Sequence, residues 1–180
     1  MSQQTEQDKR TAIEVRRAAR HFAMLYFNFC KILVAAHGEE KALTLAQKAI
    51  FELSLDRTDR IRDKAIKAGA ETNLEQFSNF NDLPLIGWNA WDESMGGMRC
   101  PYAEQWTSYY EEHPWFKTFA SLYCDVIDTT NIENFTGNLS LKITQKQLLG
   151  DPTCDFEYFE SDQAKQGFYT YGDREGGKHI

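Results

Sequence analysis

Leu139-Ser140-Leu141-Lys142-Ile143-Thr144 is the stretch on which the fold turns, because apolar and polar residues alternate there with a period of two. That period belongs to a strand with one buried face. Gly150-Asp151-Pro152 follows as a turn, and Cys154, Phe156 and Tyr158 then alternate with Asp155 and Glu157 in a second strand. Cys154 is expected on that strand's apolar face, and two strands this close in sequence pair antiparallel.

Everything upstream carries helical spacing. Thr11 and Glu14 fit a capping box, followed by Val15, Ala18, Ala19, Phe22, Leu25, Tyr26, Phe29, Ile32, Leu33 and Ala36 as the buried stripe. Gly38 stops that helix. A second stripe of Ala42, Leu45, Ala46, Ala49, Ile50 and Leu53 follows, with the charged run Arg57 to Lys67 as a solvated face and Gly69 past the end. Thr72 and Glu75 open a short helix through Phe80, and Gly96-Gly97 reads as a hairpin turn between two short strands. Pro101 suits a first helical position, with Tyr102, Trp106 and Tyr109 on one side. Pro114 opens another helix that buries Phe116, Phe119, Ala120, Tyr123 and Ile127. Helices first and strands last predict an α+β chain, its N-terminal helices packed on one face of a small antiparallel β-sheet in a single domain. The expected boundaries are a disordered segment over residues 1–9, the domain over 10–160, and a polar tail over 161–180.

Composition narrows the function. The 180 residues are 42% hydrophobic, 26% charged and 13% aromatic, which suits a packed core with an aromatic-walled pocket. A net charge of −7 without a basic patch argues against nucleic acid and anionic membranes as partners. The longest apolar run, Phe22 to Cys30, is broken by Asn28 and falls short of the ~20 residues of a membrane span. Met1 to Arg10 holds no signal-peptide core, so the expected location is the cytoplasm, and the sequons at Asn134 and Asn138 read as chance. The expected partner is a small-molecule substrate, with a homo-oligomer left open. Four cysteines without a CxxC pair fit neither a zinc ribbon nor a disulfide scaffold, and no metal or cofactor is expected.

Cys100 has the most informative surroundings. With Pro101 first in its helix, Cys100 takes the N-cap, where the helix dipole and neighbouring Arg99 favour a thiolate. Glu104 lies four residues on, near enough to share a ligand; a capping cysteine among surface charges fits the same spacing. Cys124 and Asp128, four apart, project from one side of their helix as nucleophile and anchor, though such a pair is more often a core cysteine beside a surface acid. Cys154 is by default a buried structural residue. His113, just before Pro114, is a general base or a surface-turn residue, and no Ser-His-Asp set, HExxH pair or phosphate loop occurs.

Arg99-Cys100-Pro101-Tyr102-Ala103-Glu104, then Leu122-Tyr123-Cys124 with Asp128, then Gly150-Asp151-Pro152-Thr153-Cys154-Asp155-Phe156 resemble the ordered motifs of L-2-amino-thiazoline-4-carboxylic acid hydrolases. The Leu83-Pro84-Leu85-Ile86-Gly87-Trp88 stretch and the helix around His21 to Phe29 look similar too. The resemblance implies a hydrolase that opens a small cyclic amidine, converting the amino-thiazoline acid to N-carbamoyl-L-cysteine by cysteine nucleophilic catalysis. For that chemistry Cys100 is the expected nucleophile with Cys124 as second choice, and Glu104 and Asp128 are expected to bind the amidine or relay protons. Arg99, Trp88, Tyr102 and Cys154 line the substrate, and the three cysteines converge with the acids in one cavity. Two departures bear on the substrate: Phe135-Thr136-Gly137 stands where the family pattern has Asn-Pro after a Phe, and the hairpin between Trp88 and Arg99 is short. The competing reading is a non-catalytic protein binding a small ligand or a metal in the same cysteine-lined pocket.

Overall fold

The computed structural model describes residues 5–88 and 99–161. The Gly96-Gly97 turn and the hairpin containing it lie outside the described residues, as does the tail beyond Ser161. The elements run α1 (Glu6–His37), α2 (Glu39–Lys67), α3 (Leu74–Phe80), a 3-10 turn (Leu85–Gly87), α4 (Pro101–Thr107), α5 (Phe116–Thr136), β1 (Leu139–Gln145), a second 3-10 turn (Gln147–Leu149) and β2 (Asp155–Glu160). Helices first and a two-stranded sheet last make the chain α+β, as the change of period at Leu139 predicts. No described helix is long and apolar enough to cross a membrane.

Helix boundaries follow local chemistry, with two shifts from the sequence reading. The capping box of α1 is Thr5 with Asp8, not Thr11 with Glu14: the Thr5 hydroxyl accepts from the Asp8 N–H, and the Asp8 carboxylate accepts from the Thr5 N–H. Thr11 instead donates its hydroxyl to the Gln7 carbonyl inside the helix, a bond any mid-helix threonine can make. The cap of α3 is Asn73 rather than Thr72, its amide oxygen accepting from the Gln76 N–H at 3.0 Å. Gly38 ends α1 as expected.

The described residues cluster into two compact units, each drawn from several stretches of chain. The first holds α1, both 3-10 turns, α4 and the opening of α5. Its core is aromatic. Phe27 stacks on Tyr109 at 4.0 Å and meets Phe116 edge-on at 4.9 Å, and Trp106 is fully buried, its indole N–H donating to the Ala23 carbonyl at 3.0 Å. The buried face of α1 is therefore Ala12, Arg16, Ala19, Ala23, Phe27 and Cys30. Leu25, Phe29 and Ile32, expected in the stripe, are 57%, 61% and 68% exposed. The reason is steric: a face of alanines lets large rings approach the backbone closely enough for Trp106 to reach a carbonyl, which a leucine and phenylalanine face would block. Gly87 shows the same closeness, since a Cβ there would run into the Val15 side chain.

The second unit holds most of α2 and α5, with α3 and nearly all of the sheet. Ile61, Ala65 and Phe135 are fully buried with Phe77 and Phe80 packed on them. Beside this apolar cluster runs a polar ladder between α2 and α5. Ser54 and Thr58 each donate to the Asn131 amide oxygen at 2.7 Å, and Arg62 donates to the Asn134 carbonyl at 2.9 Å. Asn134 is fully buried, so the first sequon is closed to modification. The Thr129 hydroxyl of α5 donates to the Leu141 carbonyl of β1, and the Ser161 N–H donates to the Asn138 carbonyl, pairing the end of β2 with the start of β1 in antiparallel register. β1 does not alternate cleanly: Ser140 and Leu141 are both buried because the Ser140 hydroxyl donates to the Glu133 carboxylate at 2.5 Å. β2 buries little, and Tyr158, expected inward, is 45% exposed.

Candidate functional site

The first unit gathers Trp88, Arg99, Cys100, Tyr102, Glu104 and Cys154; Cys124 and Asp128 belong to the second. Cys100 is the N-cap of α4, with Pro101 next and no side-chain capping bond, as its sequence position implies. It is half-buried. The peptide group joining Arg99 to Cys100 is fixed at both ends. Its carbonyl accepts from Arg16 at 2.9 Å, and its N–H donates to the Gln147 side-chain oxygen at 2.8 Å.

Arg16 does more than this. Its guanidinium also donates to the Gly87 carbonyl at 2.8 Å and pairs with Glu104 at 2.5 Å, while the Arg99 N–H donates to the Trp88 carbonyl. Residues 87–88 and 99–100 are thereby tied together through a side chain of α1. A buried guanidinium needs partners for its donors, and Arg16 finds three here in two carbonyls and a carboxylate. Glu104 is engaged on both oxygens, by Arg16 and by Arg20 at 3.2 Å. Among the described residues, Arg16 and Arg20 thus converge on Glu104, and Arg99 lies next to Cys100 in the chain.

Aromatic rings flank the same stretch. Tyr102 meets Trp88 edge-on at 5.7 Å and stacks on Trp106 at 5.3 Å. Cys154 lies just before β2 rather than within it, half-buried, and its sulfur accepts the Gln147 N–H at 3.5 Å. The strand reading of Cys154 is corrected accordingly: the second 3-10 turn, not the sheet, holds it. The Gln147 side-chain N–H donates to the Pro152 carbonyl at 3.2 Å, so its amide has one polarity on each partner and its orientation is defined. Nearby, the Lys146 ammonium donates to the Ser121 hydroxyl and its N–H to the Asp151 carboxylate.

Cys30 provides the contrast. It is 1% exposed, and burial pushes its thiol up to about 12, against a weaker opposing hydrogen bond with Tyr26. A thiol held there stays protonated and inert. His113 packs its ring on Phe27 at 5.1 Å and against Trp115, within the aromatic core of the first unit.

Within the second unit, Cys124 and Asp128 are both half-buried on α5. Burial and then the Asp128 charge raise the Tyr158 phenol above its ordinary value. The departure at Phe135-Thr136-Gly137 is the end of α5: Phe135 is buried in the apolar cluster, the Thr136 hydroxyl accepts from the Leu139 N–H, and Gly137 takes a φ of +72°. An Asn-Pro pair would not supply that left-handed turn. Among the described residues no three His, Cys, Asp or Glu side chains meet as a metal site.

Arg16 and Gln147 were not singled out in the sequence. Arg16 carried a signal, since it sits in helical phase with Ala12, Ala19 and Ala23, where a charge needs buried partners. Gln147 carried none.

No curated protein and no solved structure matches this chain. The family model for L-2-amino-thiazoline-4-carboxylic acid hydrolase matches residues 17–158, a span running from the helix that carries Arg16 and Arg20 nearly to the end of β2. With most of its length matched, including the stretches that hold Cys100, Cys124 and Cys154, this chain belongs to the L-2-amino-thiazoline-4-carboxylic acid hydrolase family.

Proposed function

We propose that this protein hydrolyses a small cyclic amidine of the 2-amino-thiazoline-4-carboxylate type, with Cys100 as nucleophile. Membership of the hydrolase family supports the reaction class, and the observation that carries the assignment is the half-buried Cys100 at the N-cap of α4, with Arg99 before it in the chain and Arg16 on the carbonyl of the peptide that joins them. Of the cysteines in the first unit it is the one with an arginine as its chain neighbour.

The Cys100 thiolate adds to the ring carbon that bears sulfur and two nitrogens. The ring C–S bond breaks, releasing the substrate's own thiolate and leaving an isothiourea on Cys100. Water adds to that carbon and expels the Cys100 thiolate; its oxygen becomes the carbamoyl oxygen and a proton goes to the product thiol. One water is consumed and N-carbamoyl-L-cysteine leaves. Arg99, exposed at the start of α4, takes the substrate carboxylate, for which a guanidinium offers paired donors. Trp88 and Tyr102 form an aromatic wall. Glu104 serves through the arginines it holds, and Cys154 adds a second sulfur on the Gln147 side. Cys124 with Asp128 on α5 is the second choice of nucleophile and acid.

The test is turnover of L-2-amino-thiazoline-4-carboxylate by the purified protein, followed by chromatography and mass detection of the product. Cys100→Ala is expected to lose at least ~100-fold in kcat, whereas Cys30→Ala keeps the native rate. Undiminished turnover by Cys100→Ala would falsify the assignment, and loss in Cys124→Ala alone would move it to α5.

A further inference from the structure

We propose that Gln147 is a positioning residue for the thiol chemistry, anchoring the Cys100 peptide with its side chain and the Cys154 sulfur with its backbone N–H. The proposal rests on the reading of Cys100 as nucleophile and adds to it a residue outside the cysteine-containing motifs.

Three hydrogen bonds of the first unit carry the argument. The Gln147 side-chain oxygen accepts the Cys100 N–H at 2.8 Å, its side-chain nitrogen donates to the Pro152 carbonyl at 3.2 Å, and its backbone N–H donates to the Cys154 sulfur at 3.5 Å. The residue therefore spans from the start of α4 to the chain just before β2, and every polar group it uses there has a partner of matching polarity. Its hold on Cys100 is one half of a clamp. Arg16 fixes the carbonyl of the same peptide at 2.9 Å from the α1 side. A peptide plane held at its carbonyl and its N–H cannot swing, so the Cys100 N–Cα bond is held in place, and the start of α4 fixes the rotation about it before any substrate arrives. That is the pre-organisation a nucleophile needs, since misplacement by about 1 Å can cost on the order of 100-fold in rate.

The turn that carries Gln147 is itself built to stay in place. Leu148 is 2% exposed, and the Lys146 N–H is held by the Asp151 carboxylate at 2.7 Å. Gly150 adopts a φ of +104°, which closes the turn so that Pro152 and Cys154 return to Gln147.

The experiment uses the full chain with Gln147→Met, which keeps the bulk and removes both side-chain polar contacts. The first readout is the rate at which iodoacetamide alkylates Cys100 and Cys154, resolved peptide by peptide. Cys100 should slow by about fivefold or more as the anchor on its backbone N–H is lost. The second is steady-state turnover of L-2-amino-thiazoline-4-carboxylate, where kcat should fall at least ~10-fold with KM within about twofold, the pattern of a lost transition-state geometry. Unchanged alkylation of Cys100 overturns the proposal, as does a native kcat in Gln147→Met when Cys100→Ala is inactive. Should Cys100→Ala stay active, the nucleophile assignment fails while alkylation still decides the role of Gln147. If the methionine variant does not fold, Gln147→Asn, which keeps the amide but shortens its reach, is read by the same alkylation assay.

Discussion

Arg16 is 8% exposed, and its guanidinium meets two backbone carbonyls and one carboxylate. Replacing it by leucine would leave the Gly87 and Arg99 carbonyls without their donor. A loss of about 2–4 kcal/mol is expected, discounted from a fully buried pair because Glu104 remains 32% exposed to water. Urea denaturation of Arg16→Leu checks this, and a loss under about 0.5 kcal/mol would show that the carbonyls find water instead. Cys30 makes the opposite prediction. With its thiol at about 12 and its side chain sealed, it should resist iodoacetamide at pH 8 in the folded protein and react only after unfolding. Rapid labelling of Cys30 alongside Cys100 in native protein would remove the contrast on which the choice of nucleophile depends.

At the scale of elements, the order of helices and strands was legible because periodicity and punctuation agreed. Gly38, Pro101 and the alternation from Leu139 each had one good local reading. What failed was the phase of α1. Its sequence offers large apolar residues over more than one face, and pattern alone favoured Leu25, Phe29 and Ile32 over the alanine face that packs. The choice was made by aromatic partners far along the chain, Trp106, Tyr109 and Phe116, which periodicity within one helix cannot see. The candidate site follows the same rule. Cys100 at a helix start was readable from Pro101, whereas Gln147 is tied to it only by a contact across 47 positions. Two substitutions test the phase. Ala23→Leu should cost about 1–3 kcal/mol by driving Trp106 off its carbonyl, and Phe29→Gln should change stability by less than about 0.5 kcal/mol. Equal effects on melting temperature would mean that α1 buries the other face.

Across the whole molecule, pH acts through carboxylates whose surroundings pull in opposite directions. Burial raises Glu133 above its ordinary 4.5, only partly offset by the Ser140 hydroxyl. The folded state therefore binds more protons than the unfolded chain just above pH 4.5, and the stability this contributes is full below 4.5 and declines as pH rises. Asp82 runs the other way. Burial pushes it up, but its paired hydrogen bonds and the charge of Arg57 prevail and hold it below 3.8, so its contribution is present above 3.8 and lost as pH falls through the lowered value. Glu133→Gln should accordingly gain on the wild type in denaturation midpoint between pH 4 and pH 7, and parallel curves would show that Glu133 is solvated. None of this reaches the chemistry, which stands or falls with one sulfur atom. The most direct measurement is acid quenching of the protein during turnover of L-2-amino-thiazoline-4-carboxylate, followed by peptide mapping of the covalent adduct. The expected result is the mass of one intact substrate on the Cys100 peptide; an adduct on Cys124 or Cys154 instead, or steady turnover with Cys100 never modified, would rule out Cys100 as nucleophile.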